Sequence, residues 1–128
     1  MKIENFGQSE DKPFTLAKKI DVGTGFQIFV MGIQPPIENN GECNPCIEKQ
    51  TNQVFAEIAE ILEDAGASFD DIVKANIYVT DLNEFSKVSP IRAKYFIKSK
   101  PVTTTVQVNG FTRKGARIEI EVMAVIGK

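Results

Sequence analysis

Residues 101–123 read PVTTTVQVNGFTRKGARIEIEVM. Val102 to Val108 is almost entirely β-branched, whereas Arg117 to Met123 alternates charged with apolar residues at period two. Both patterns belong to strands. In the second, Arg117, Glu119 and Glu121 share one face and Ile118, Ile120 and Val122 the other, so one face meets a core and the other carries carboxylates. Asn109, Gly110, Lys114 and Gly115 supply turn residues between the two, which predicts a hairpin closed by a loop of several residues.

Working outward, Ile72 to Thr80 is a further strand with Val73, Ala75, Ile77 and Val79 on one face, and Asp81 caps the turn that follows. Ser89 and Pro90 suit a helix cap and first helical residue, starting a helix over Ile91 to Ile97. A longer helix is expected from Asn44 as cap and Pro45 as first residue to about Ala65, with Gly66 as a left-handed stop. Its stripe of Ile47, Val54, Ile58, Ile61, Leu62 and Ala65 faces a core, while Glu57, Glu60, Glu63 and Asp64 face water. Burying four of those large side chains contributes roughly 6–12 kcal/mol before entropy costs. Near the N-terminus, Phe14–Ile20 and Phe26–Gly32 read as strands joined by a turn at Asp21–Gly25. Apolar residues on both faces of the second (Ile28 and Val30; Phe29 and Met31) predict cover on both sides. Residues 1–12, anchored only by Ile3 and Phe6, are expected to form a loosely held arm.

The chain of 128 residues, 42% hydrophobic and 25% charged, suits a single domain over residues 1–128 with a real core. A net charge of −2 without a basic run argues against a nucleic-acid partner, and Lys18-Lys19 and Arg113-Lys114 read as isolated solvated pairs. No apolar run approaches the roughly 20 residues of a membrane span, and no signal-like segment opens the chain, so a cytoplasmic protein without a membrane partner is expected. Two cysteines and no histidine leave little for a metal site, and no cofactor is expected. Cys43-Asn44-Pro45-Cys46 has the spacing of a thioredoxin-type redox pair, and a helix N-terminus would favour the thiolate. That motif should follow a βαβ unit, however, and here a hairpin and a loop precede it; the alternative is two ordinary thiols at a loop–helix junction. Asp64, Asp70 and Asp71 read as caps rather than a calcium loop.

Two stretches resemble the reactive-intermediate deaminase (Rid) family. DDIVKANIYVTDLNEFSKV is similar to the family's D-D-V-V-K-x-x-x-x-L-T-D-x-x-D-F-x-x-V. Pro101, Val106, Val108, Ile118 to Glu121, Ala124 and Val125 follow its P-A-R-S-x-V-x-V and V-E-I-E-A-I-A-V signatures. Met31 to Pro35 is similar to its S-G-Q-I-P, so the resemblance covers residues 47–126 well and the N-terminal third loosely. It implies an α+β, chorismate-mutase-like β-β-α-β-α-β-β chain with helices on one face of a mixed sheet. It also implies a homotrimer with small-molecule clefts between subunits.

The activity so implied is hydrolytic deamination of enamines and imines of the 2-iminobutanoate and 2-iminopropanoate type, with Glu119 orienting water. Outside the resemblance, Glu119 reads as a solvated strand residue or a salt-bridge partner of Arg117 or a lysine. Phe14, Ser89, Thr103 and Thr105 stand where the family has tyrosine, asparagine, the substrate-clamping arginine and a small or sulfur-bearing residue. A guanidinium–carboxylate contact is worth about 1.5–3 kcal/mol, roughly 10- to 200-fold in binding. With Thr103 in that place, a cleft of Phe14, Gly32, Ser89, Thr103, Thr105 and Glu119 suits neutral or cationic small molecules. The alternatives to the deaminase are a catalytically inactive Rid-like metabolite binder and a thiol–disulfide protein using Cys43 and Cys46.

Overall fold

Alternating apolar residues build most of the strands in this computed structural model, which describes all of residues 1–128. In chain order the elements are β1 (Ile3–Phe6), β2 (Ala17–Asp21), β3 (Gly25–Ile33), α1 (Ile47–Asp64), β4 (Ile72–Val79), α2 (Phe85–Phe96), β5 (Val102–Gln107) and β6 (Ile118–Gly127). They form one six-stranded sheet in the order β1-β2-β3-β6-β4-β5. Only β4 and β5 are parallel. The α+β class with a mixed sheet is as expected, with a sixth strand at the N-terminus.

The expected hairpin of β5 and β6 does not form. β6 inserts between β3 and β4, antiparallel to both, and β5 pairs with the far edge of β4. Burial explains the exchange. Ile118, Ile120 and Ala124 are 0% exposed and Val122 is 5% exposed, which requires a strand on each side and helices above. The Thr-rich β5 leaves Val102 and Val106 exposed and suits an edge. A parallel pair needs a crossover, and α2 supplies it.

The N-terminal arm is also tied down. β1 pairs with β2 from Ile3↔Ile20 to Phe6↔Ala17, and Phe6 packs against the core. A four-residue strand with apolar residues only at its ends, Ile3 and Phe6, has too little periodicity to be read from sequence. At β4, the register shifts between Ile72 and Lys74, so Ile72 is buried and Val73 is exposed rather than sharing a face with Ala75. A comparable shift lies between Val30 and Ile33 of β3. Phe29 and Met31 are 38% and 37% exposed, so within one chain β3 is covered on one side only.

α1 starts two residues later than expected, with Cys46 as cap, because the Asn44 Oδ1 accepts the Cys46 N–H in a local turn before the helix. Its other end is as read, with Gly66 at φ +84°. There Lys19, expected in solvent, donates to the Ala65 carbonyl at 2.8 Å. α2 starts at Phe85, ahead of Pro90, which lies inside it. Pro90 removes the bond to the Ser86 carbonyl, but both residues are on the exposed side, where solvent serves that oxygen. Asp81 caps as expected, accepting from the Asn83 N–H. The two helices cover one face of the sheet, where Phe55 stacks on Tyr95 at 4.4 Å and meets Phe69 and Phe96 edge-on. No helix is long and apolar enough to cross a membrane.

Candidate functional site

The sheet face away from the helices presents the alternate residues of its central strands: Glu119, Glu121 and Met123 of β6, Asn76 and Tyr78 of β4, and Phe29 and Met31 of β3. The two carboxylates of β6 have different surroundings. Glu121 accepts from Asn76 Nδ2 at 3.0 Å and from the Tyr78 hydroxyl at 2.5 Å. That second bond, more than burial, pushes the Tyr78 phenol up to about 12.

Glu119 is held differently. Gln34 Nε2 donates to its Oε1 at 3.0 Å and also to Thr112 Oγ1 at 3.1 Å. Its Oε2 lies against Gly32, where a Cβ would come within 2.5 Å of that oxygen. A glycine at the β3 irregularity is therefore a steric requirement for this carboxylate position. Arg117 does not pair with Glu119: its guanidinium reaches Glu84 and the Pro45 carbonyl. One carboxylate oxygen is oriented by an amide, and the other lies over Gly32 without a donor from the chain.

Gln34 and Thr112 form a wall shared by two clefts. One contains Glu119, Tyr78 and Phe111. The other, of about 350 Å³, is lined by Phe14, Gly32, Glu57 and Arg113. Glu57 is partly buried rather than solvated, and burial raises its carboxyl above the usual range while Arg113 pulls the other way. Arg113 is not merely solvated: Nη1 donates to the Gln34 and Pro35 carbonyls at 3.3 and 3.0 Å, and its N–H donates to Gln34 Oε1 at 3.1 Å. The loop that carries it is anchored by the fully buried Gln50. That amide donates to the Asn44 and Gly115 carbonyls and accepts the Arg117 N–H.

The six residues read from sequence thus fall into two groups. Phe14, Gly32 and Glu119 gather around Gln34. Thr103 and Thr105 pair with the buried Ala75 and Ile77, which puts them on the helix-facing side of the outer strand β5. Thr103 Oγ1 donates to the Pro101 carbonyl at 2.9 Å. Ser89, on α2, accepts from Arg92. A single chain does not assemble these six into one cleft. Gln34 and Arg113 were missed because their roles are set by backbone carbonyls and a distant loop; the signal was present in Gln34, two residues after Gly32 in the quoted motif.

Cys43 and Cys46 are both free, the first buried and the second exposed. Cys43 Sγ approaches the Pro35 carbonyl at 3.4 Å, and burial pushes its thiol up, against the lowering expected for a helix-start thiolate. Cys46 is the helix cap, but its side chain makes no cap bond.

Comparison with known proteins agrees with the fold. The family described as Endoribonuclease L-PSP matches residues 17–126. A RutC family protein of Pyrococcus abyssi is 39% identical over 113 residues, covering 88% of this chain and 85% of its own. A mouse protein named 2-iminobutanoate/2-iminopropanoate deaminase is 32% identical over 116 residues, covering 90% of this chain and 82% of its own. Among solved structures, a Rid-family protein of unknown function from Yersinia pestis superposes with a TM-score of 0.78 at 35% identity, covering 95% of this chain and 94% of that one.

Proposed function

The chain belongs to the Endoribonuclease L-PSP family, the YjgF/Rid group, and from that membership we propose that it hydrolyses small reactive enamines and imines of the 2-iminobutanoate and 2-iminopropanoate type. The observation that carries this reading is the placement of Glu119: one oxygen fixed by Gln34, the other free over Gly32. Such a carboxylate orients a water and accepts its proton as the water oxygen bonds to the imine carbon. The nitrogen takes up a proton, and the resulting carbinolamine expels ammonia to leave a 2-oxo acid. The deaminase named among the relatives supports this substrate class.

The assembly proposed is a homotrimer with clefts between subunits, working in the cytoplasm on a small molecule without a cofactor. Two features support a partner copy. Phe29, Met31 and Val125 leave an apolar, exposed sheet face, and β5 is an open edge with Val102 and Val106 exposed. A second copy would bring Ser89, Thr103 and Thr105 opposite Glu119, which one chain cannot do. The net charge of −2 without a basic cluster favours a small metabolite over RNA.

A second reading rests on Thr103. Its hydroxyl is engaged with the Pro101 carbonyl and cannot clamp a carboxylate as a guanidinium does, which favours an inactive metabolite binder in the same cleft. The thiol–disulfide reading is weaker, because Cys43 is buried. Hydrolysis of 2-iminopropanoate and 2-iminobutanoate generated in situ separates the readings. An active wild type and an inactive Glu119→Ala support the deaminase. Turnover by Thr103→Arg alone supports the binder.

A further inference from the structure

Hydrolysis of an imine needs a place for the substituent carried by the imine carbon. The cleft that contains Glu119 offers Tyr78, Val108 and Phe111. Tyr78 is the cross-strand partner of Glu119 on β4. Its hydroxyl is taken by Glu121, which Asn76 also holds, so the phenol is fixed from that side and its ring is what Tyr78 adds to the cleft. Val108 prolongs the β5–β4 pairing by donating its N–H to the Val79 carbonyl at 2.8 Å. Phe111 follows three residues later and directly precedes Thr112, whose hydroxyl accepts from the same Gln34 amide that holds Glu119. Tyr78 and Phe111 thus line one cleft without stacking on each other, whereas on the helix-covered face Phe55 and Tyr95 close together at 4.4 Å.

We propose that Tyr78 and Phe111 select the substrate by its side chain, so that this chain prefers aryl-bearing 2-imino acids, of the 2-imino-3-phenylpropanoate type, over 2-iminopropanoate. This rests on the deaminase reading and narrows it. The aryl group enters between the two rings, against Val108, while the imine carbon stays beside Glu119. Aromatic rings bring a large apolar area and favour an offset or edge-on approach by another ring. A three-carbon substrate would leave both rings uncovered. Because Thr112 and Glu119 share the Gln34 amide, the residue next to Phe111 and the carboxylate are referenced to one side chain.

The test compares the imines of phenylalanine and alanine, generated in situ, as a ratio of kcat/KM values. The wild type is expected to favour the phenyl substrate by roughly 10- to 200-fold, the range by which an apolar pocket separates side chains of different size. In Phe111→Ala that ratio falls at least about tenfold, through KM, and Phe111→Leu recovers part of it. Calorimetric binding of phenylpyruvate against pyruvate follows the same pattern without turnover. A Glu119-dependent wild type that does not favour the phenyl compounds, or whose preference survives Phe111→Ala, overturns the subsite and leaves the deaminase standing. A change of oligomeric state in Phe111→Ala, read by light scattering, also overturns it, by showing that a second copy covers the ring. An inactive wild type that binds phenylpyruvate through Phe111 overturns the deaminase and leaves the aromatic subsite.

Discussion

The two faces of β6 obey different rules. Ile118, Ile120, Val122 and Ala124 face α1 and α2, and every partner they need is in the same chain. One residue further on in each case, Glu119, Glu121, Met123 and Val125 face away from the helices, and the donors to the two carboxylates come from Gln34, just after β3, and from β4. A buried aliphatic needs only neighbouring apolar surface, which a period-two pattern guarantees. A carboxylate needs directed donors, and these come from separate parts of the sequence. The difference explains why one face sets stability and the other is free to carry chemistry.

The largest effect on folding should come from breaking the buried side. Ile120→Ala is expected to cost about 2–5 kcal/mol in urea denaturation, as a fully buried aliphatic truncated in a packed core. A cost under about 1 kcal/mol would mean that this face is not the closed, self-sufficient one described. Gly32→Ala sharpens the contrast from the other side. Its Cβ meets a movable carboxylate rather than the core, so stability should change by about 1 kcal/mol or less while turnover falls at least about tenfold. Unchanged turnover would show that the Glu119 position over Gly32 is not needed.

The smallest effect concerns Tyr78. Its folded pKa, about 12, lies above the ordinary value of 10.0 because Glu121 accepts the phenolic proton's hydrogen bond. A raised folded value means that the native state holds the proton more tightly. The associated stability is present below pH 10.0 and is lost as pH rises toward about 12. Absorbance titration of the phenolate should show the Tyr78 step moving down in Glu121→Gln. If it stays in place, the bond to Glu121 is not the cause.

Much of the scaffold was legible because burial is periodic. The stripe of α1, the Gly66 stop and the alternation of β6 depend on spacing alone. The β5–β6 hairpin misled because Asn109-Gly110 and Gly115 look like a local turn, whereas pairing was decided by how deeply each strand must be buried. Pro90 suggested a helix start, although its cost falls on a solvent-facing carbonyl. In the site, Glu119 and Gly32 were readable from the E-I-E and glycine motifs. Arg113 was not, since the carbonyls that orient it lie 78 and 79 positions away. Nor does sequence show that Ser89, Thr103 and Thr105 lie across the sheet from Glu119, which follows from register and not from motif.

Gln50 has a consequence for how this cleft could change over evolutionary time. With its amide bonded to Asn44 just ahead of α1, to Gly115 and to Arg117, the base of the loop is fastened at both carbonyl and N–H while the tip carries Thr112 and Arg113. Side chains at the tip can be exchanged without loosening that base. The loop is then built as a cassette, whose tip side chains can vary while the strand carboxylate of Glu119 keeps its place over Gly32.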